Sequence, residues 1–201
     1  MNVALIDYRA GNLTSVRKAL TVAGADVYTP DAAADLRRAD AVVVPGVGHF
    51  NATAALTDEW RAAIRDGVER GRPLLGICLG LQWLFDGSEE APDLPGLGLL
   101  SGRCWLLPGG EGLKVPHVGW NTLTVRQDAR VLDGVADGTF AYFTHSYVAP
   151  VTDACAASTT HGDTFAAVVE RGRVMGLQFH PEKSGDAGLT MIGNFLTLAG
   201  R

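Results

Sequence analysis

The sequence predicts an α/β protein, an open and mostly parallel sheet flanked by helices, with antiparallel strands added in the second half of the chain. Three observations carry this. Short runs that are apolar throughout recur at residues 3–6, 41–44 and 74–77, the pattern of parallel strands covered on both faces. Segments with helical spacing separate them. From about Leu97 the texture changes to apolar runs punctuated by Gly, Asp and Pro, which suits hairpins.

Taken in order, the strand at 3–6 leads to Asn12, a residue type that caps a helix, followed by Leu13, Val16 and Leu20 and a stop at Gly24. After the strand at 41–44, Asn51 or Thr53 opens a longer helix through Leu56, Trp60, Ile64 and Val68 to Gly71. The strand at 74–77 passes directly into Leu81, Leu84 and Phe85 at helical spacing. Residues 104–107, 118–125, 139–143 and 165–169 read as antiparallel strands, 173–179 as a return to the buried-strand pattern, and 188–198 as a closing helix through Leu189, Ile192, Phe195 and Leu196. No internal repeat or linker interrupts the 201 residues, so one domain spanning 1–201 is expected. Right-handed crossovers in such a sheet place a site at its carboxyl edge.

Composition narrows the function. With 47% hydrophobic and 19% charged residues the chain is not of the disordered class. A net charge of -5 supplies no field for a polyanion, so nucleic acid is not an expected partner. No apolar stretch approaches the roughly 20 residues of a membrane span, and a soluble cytoplasmic protein is expected. Cys78, Cys104 and Cys155 are odd in number and far apart, which argues against a disulfide framework or a zinc site. No phosphate-binding or dinucleotide glycine motif is present, so neither cofactor nor metal is expected.

The chemistry concentrates in three stretches. In Gly76-Ile77-Cys78-Leu79-Gly80 a strand ends and a helix begins, with glycines two residues to either side of a thiol. That is the arrangement of a nucleophile elbow, where small neighbours permit a sharp turn that exposes the nucleophile. Cys104 and Cys155 lack such flanks and read as buried structural thiols. A thiol nucleophile wants a base and a group to orient it. His180 follows the strand at 173–179, and Glu182 lies two residues on, within reach of one ring nitrogen. Pro45-Gly46-Val47-Gly48 ends another strand, and its backbone N–H groups suit an oxyanion hole. His49, directly after it, is a rival base without a nearby carboxylate.

Together, P-G-V-G (45–48), G-I-C-L-G-L-Q (76–82) and H-P-E (180–182) resemble a class I, triad-type glutamine amidotransferase domain with its flavodoxin-like sheet. Within that family the chain is most similar to the glutaminase subunits of imidazole glycerol phosphate synthases, through D-Y-R-A-G-N (7–12), P-H-V-G-W-N (116–121), Y-F-T-H-S-Y (142–147) and Q-F-H-P-E-K-S (178–184). The resemblance covers essentially the whole length. It implies that Cys78 attacks the side-chain amide of L-glutamine, His180 relays protons, Glu182 orients His180, and the Val47 and Gly48 backbone forms the oxyanion hole. It implies further that Gln82, Glu90, His145, Ser146 and Tyr147 surround the bound glutamine. Trp120, Asn121, Tyr142 and Lys183 fall where the family meets its partner, a (β/α)₈ cyclase subunit that receives the ammonia and makes imidazole glycerol phosphate and AICAR. His49 stands where the family's loop is expected to carry a small residue. A cysteine peptidase or a peroxide-responsive thiol protein would share the elbow but leaves the glutamine-site matches without a reason. A non-catalytic binding subunit would lack a member of the triad.

Overall fold

The structure is a computed structural model that describes residues 1–11, 13–110 and 112–200, so the expected cap at Asn12 lies outside the described residues. In chain order its elements are β1 (Asn2–Leu5), α1 (Leu13–Val22), β2 (Asp26–Tyr28), β3 (Ala41–Val44), α2 (Asp58–Glu69), β4 (Leu74–Ile77), α3 (Leu79–Leu84), β5 (Gly87–Ser88), β6 (Ala91–Pro95), β7 (Arg103–Leu106), β8 (His117–Thr122), β9 (Thr124–Val125), β10 (Phe140–His145), β11 (Tyr147–Val148), β12 (Cys155–His161), β13 (Asp163–Arg171), β14 (Val174–Leu177) and α4 (Gly185–Ala199). Short 3-10 turns join several of them.

An eight-stranded sheet runs β2-β1-β3-β4-β14-β13-β12-β9. The pairs from β2 through β14 are parallel, and those from β14 outward are antiparallel. Counted among themselves, the five parallel strands follow the flavodoxin-like order 2-1-3-4-5. Alternation along each strand sends side chains to opposite faces. Leu5, Val43, Ile77 and Leu177 meet Leu20 of α1 and Phe195 of α4 in one buried cluster. Ile6, Val42, Val44 and Leu74 meet Ile64 of α2 and Leu81 of α3 in the other. Each such fully buried side chain contributes about 1.5–3 kcal/mol, which is why these strands are apolar on both faces.

Three sequence expectations need correction. The helix expected from Asn51 or Thr53 is two elements: a 3-10 turn over Phe50–Ala55 and then α2, whose N-cap is Thr57. The start signal is Thr57 followed by Asp58 and Glu59, acids that favour a helix N-terminus electrostatically. The run 118–125 is not one strand. It leaves a two-stranded ribbon, β8 with β10, and continues as β9 against β12 in the large sheet; buried Leu123 makes the turn, its N–H donating to the Thr139 carbonyl at 2.8 Å. Finally, β7 is antiparallel on one side only: it pairs antiparallel with β11 but parallel with β5 in a small four-stranded sheet.

Candidate active site

Register brings the distant motifs together. Strands β4 and β14 pair with Gly76 opposite Gly176 and Ile77 opposite Leu177, so Cys78 and Gln178 emerge side by side at the carboxyl edge. The Cys78 N–H donates to the Leu177 carbonyl at 2.7 Å. Cys78 itself has φ +53° and ψ −107°, a conformation that costs a non-glycine residue about 1–3 kcal/mol and that concentrates at functional sites. The flanking glycines have separate steric reasons. A Cβ on Gly76 would stand 2.5 Å from the Gly80 carbonyl oxygen, and one on Gly80 only 1.8 Å from that of Val44. Helix α3 is thereby pressed onto the ends of β3 and β4.

His180 is buried, and its Nδ1 stands 2.9 Å from Glu182 Oε1 in a pair whose side chains are both 4% exposed. Burial alone would disfavour the imidazolium, but Cys78 and Glu182 outweigh it and push the pKa up to about 9. Nε2 makes no well-formed hydrogen bond, so its approach to the thiol is loose in this arrangement. Base and orienting carboxylate are thus paired, with the free ring nitrogen left for other work.

A cavity of about 300 Å³ opens beside the thiol, bordered by Gly48, Cys78, Gln82, Glu90, Pro116, Thr144, His145, Ser146 and Tyr147 among others. All five residues expected around the glutamine therefore line one hollow with Cys78. Glu90 is already partly committed: its Oε2 accepts the Phe50 N–H at 2.7 Å. His180 and Glu182 border a second recess of about 120 Å³, together with Gly11, Pro45, Val47 and Lys183.

Behind the cavity the polar groups orient one another. The Tyr147 carbonyl can only accept, and it faces Gln82 Nε2 at 2.7 Å and His145 Nδ1 at 3.1 Å. Both nitrogens therefore carry hydrogen. His145 Nε2 is then the acceptor for His117 Nδ1 at 3.3 Å, and His117 Nε2 accepts from Asn121 Nδ2 at 3.4 Å. His117 stacks on His161 with ring centroids 4.1 Å apart. Burial, then the neighbouring imidazoles, hold His117 down to about 4 and His145 down to about 3, so both are neutral at pH 7.

Comparison with known proteins accords with this arrangement. The family model for glutamine amidotransferase class-I matches residues 4–198. The chain belongs to this family. It is 45% identical over 199 residues to the imidazole glycerol phosphate synthase subunit HisH of Deinococcus radiodurans, covering 96% of this chain and 92% of that one. The HisH of Methanothermobacter thermautotrophicus is 43% identical, with 98% of each covered, and that of Moorella thermoacetica 46% identical, with 96% and 93% covered. The chain thus sits among the HisH amidotransferase subunits. Among solved structures, a glutamine amidotransferase superposes with a TM-score of 0.76 at 22% identity over 99% of both chains. PurLQS from Thermotoga maritima gives 0.74 at 21%, over 98% and 97%, a likeness of fold.

Against the expectation for this amidotransferase, the oxyanion loop does not offer both donors. The Val47 N–H donates to the Ala10 carbonyl at 3.1 Å, and Val47 borders the second recess while Gly48 borders the cavity. The turn after β1 thereby occupies that donor. Releasing it costs about one hydrogen bond, 0.5–1.5 kcal/mol. His49 is not a rival base: its Nδ1 accepts the Asn51 N–H at 3.1 Å, capping the 3-10 turn at the exposed surface.

The residues expected at the partner surface divide. Trp120 is 56% exposed, pairs across the ribbon with Tyr142 at 5.9 Å between ring centroids, and shares its face with exposed Val118 and Phe140. Lys183 Nζ lies 5.9 Å from the Tyr142 ring centroid. Asn121 belongs to the opposite face by strand alternation, its Nδ2 bound to the Thr160 carbonyl at 3.0 Å as well as facing His117. Cys104 and Cys155 are free and buried, and burial pushes both thiols up, Cys155 to about 11.

Sequence reasoning gave no role to Gln178, Thr144 or His161. Gln178 lay within a quoted motif two positions before His180. His161, in the β12–β13 hairpin, carried no signal, because its stacking depends wholly on tertiary approach. Among the described residues, no group of three or more His, Cys, Asp and Glu side chains is placed to hold a metal, and no helix is long and apolar enough to cross a membrane.

Proposed function

We propose that residues 1–201 act as one amidotransferase domain that hydrolyses L-glutamine to glutamate and ammonia, with Cys78 as nucleophile. The observation that carries this is the position of Cys78 in the wall between a glutamine-sized cavity and the buried His180–Glu182 pair. The raised pKa of His180 suits a thiolate–imidazolium pair. Sγ attacks the amide carbon, and the oxyanion is met by the Gly48 N–H and by the Val47 N–H once the loop releases it. The tetrahedral adduct collapses, the C–N bond breaks, and His180 gives its proton to the departing nitrogen, which leaves as ammonia. Neutral His180 then takes a proton from water as it attacks the thioester; the C–S bond breaks, and glutamate leaves behind the Cys78 thiolate beside the protonated His180.

Because His180 borders the second recess, ammonia departs on that side, beside Lys183 and the Tyr142–Trp120 face. We read that exposed aromatic face as the seat of a (β/α)₈ cyclase subunit that consumes ammonia to form imidazole glycerol phosphate and AICAR, in a reducing cytoplasm that suits three free cysteines. The test is glutamate release with and without that cyclase. Wild type is expected to be slow alone and fast in the complex, and Cys78→Ala is expected to bind the cyclase but release no glutamate. Turnover by Cys78→Ala would overturn the reading.

A further inference from the structure

The carboxamide of Gln178 is completely buried at the end of β14, beside Cys78 and behind the cavity wall. Its orientation is not free. The Tyr147 carbonyl compels Gln82 to present Nε2, and that same nitrogen reaches Gln178 Oε1 at 3.3 Å. With its oxygen so engaged, Gln178 presents Nε2 to Cys78 Sγ at 3.8 Å. Another polar neighbour of the sulfur is the Thr144 carbonyl at 4.0 Å, an acceptor that serves the protonated thiol alone. Deprotonation removes the thiol's use of Thr144, while the Gln178 N–H joins protonated His180 among the groups that favour the charged form.

We infer that Gln178 is a positioning residue of the hydrolysis, a donor to the Cys78 thiolate that is itself aimed by the Gln82–Tyr147 contact. The inference rests on the nucleophilic role of Cys78 proposed above. Other groups that bear on the sulfur are Tyr8 from the turn after β1, Glu90 and His145 around the cavity, and His180 with Glu182 after β14. Each of them keeps its identity when position 178 is substituted. A glutamate there keeps the shape and an oxygen for Gln82 but sets a negative charge against the sulfur. A methionine keeps the volume and removes both contacts.

The experiment is the pH dependence of Cys78 alkylation by iodoacetamide in the full chain, read by mass spectrometry of the Cys78 peptide, for wild type, Gln178→Met and Gln178→Glu. The midpoint is expected to rise by about one pH unit in Gln178→Met, a tenfold slower reaction below the midpoint, and further in Gln178→Glu. Glutaminase kcat in the cyclase complex falls in parallel, while KM for glutamine holds. An unchanged midpoint in folded Gln178→Met would overturn the inference even if activity fell, because a structural role alone does not move the thiol's titration. Should Gln178→Met fail to fold, Gln178→Leu, which also lacks the donor and adds no charge, decides by the same criterion. Failure of the nucleophile reading shows elsewhere, as turnover by Cys78→Ala.

Discussion

Glu182→Gln isolates how the buried pair sets the protonation of His180. In the wild-type fold the imidazole pKa stands at about 9, against about 6.5 for the free side chain. The difference corresponds to roughly 3 kcal/mol in favour of the charged ring after the burial penalty, at about 1.4 kcal/mol per unit. Cys78 and Glu182 share in this. A glutamine at 182 can still accept the Nδ1 hydrogen across the 2.9 Å contact, but it carries no charge, so the ring pKa is expected to fall by at least one unit. The new amide nitrogen inherits the place of Oε2, which has no partner, and such a buried unsatisfied group costs about 1–3 kcal/mol. The sign of the pH effect follows from the raised pKa. His180 stabilises the fold fully below about pH 6.5, and that contribution is lost as pH climbs through about 9. Wild type therefore loses stability across this window, and Glu182→Gln follows a flatter course there from a lower starting value. Titration of the His180 ring by NMR and urea denaturation between pH 6 and 10 measure both effects. A wild-type ring titrating at or below 6.5, or a variant with an unaltered midpoint, would refute the reasoning.

Gly80→Ala would drive a Cβ into the Val44 carbonyl, a backbone atom with no room to yield; chemical denaturation is expected to show a loss of at least 1–3 kcal/mol, typical of overpacking. Gly48→Ala meets nothing within 4 Å but must hold φ +96°, so its cost is expected near 1 kcal/mol. Trp120→Ala should change the Tm of the isolated chain little, because the ring is already 56% exposed. It should weaken the cyclase complex by about 2 kcal/mol if Trp120 is an anchor of that interface, as calorimetric titration would read; unchanged affinity would remove it from the interface. His117 and His145, held at about 4 and 3, should show no NMR titration between pH 5 and 8. Since their folded values lie below 6.5, their contribution is present above that pH and is lost as pH falls toward 4.

Much of this protein was written locally. The strands at 41–44 and 74–77 coincide with β3 and β4, because residues buried on both faces must be apolar at every position. The elbow around Cys78 was equally legible, since only glycines clear the Gly80 and Val44 carbonyls. Less was readable where a strand depends on distant neighbours: β12, with its Ala-Ala-Ser-Thr-Thr core, shows neither β-branched richness nor clean alternation, and it exists because β13 and β9 pair with it. The break between the Phe50–Ala55 turn and α2 is not legible in the sequence because apolar spacing continues across it while hydrogen bonding does not.

By itself, the order of residues determined that the thiol stands at a strand-to-helix turn and that His180 and Glu182 leave another strand's end. Only tertiary structure decided that those strands are neighbours in register, that the Val47 N–H is held by Ala10, and that Asn121 faces inward toward His117. The reason is that steric rules at a turn act over a few bonds and leave a mark in composition, whereas a hydrogen-bond partner across the sheet is set by how separate elements pack.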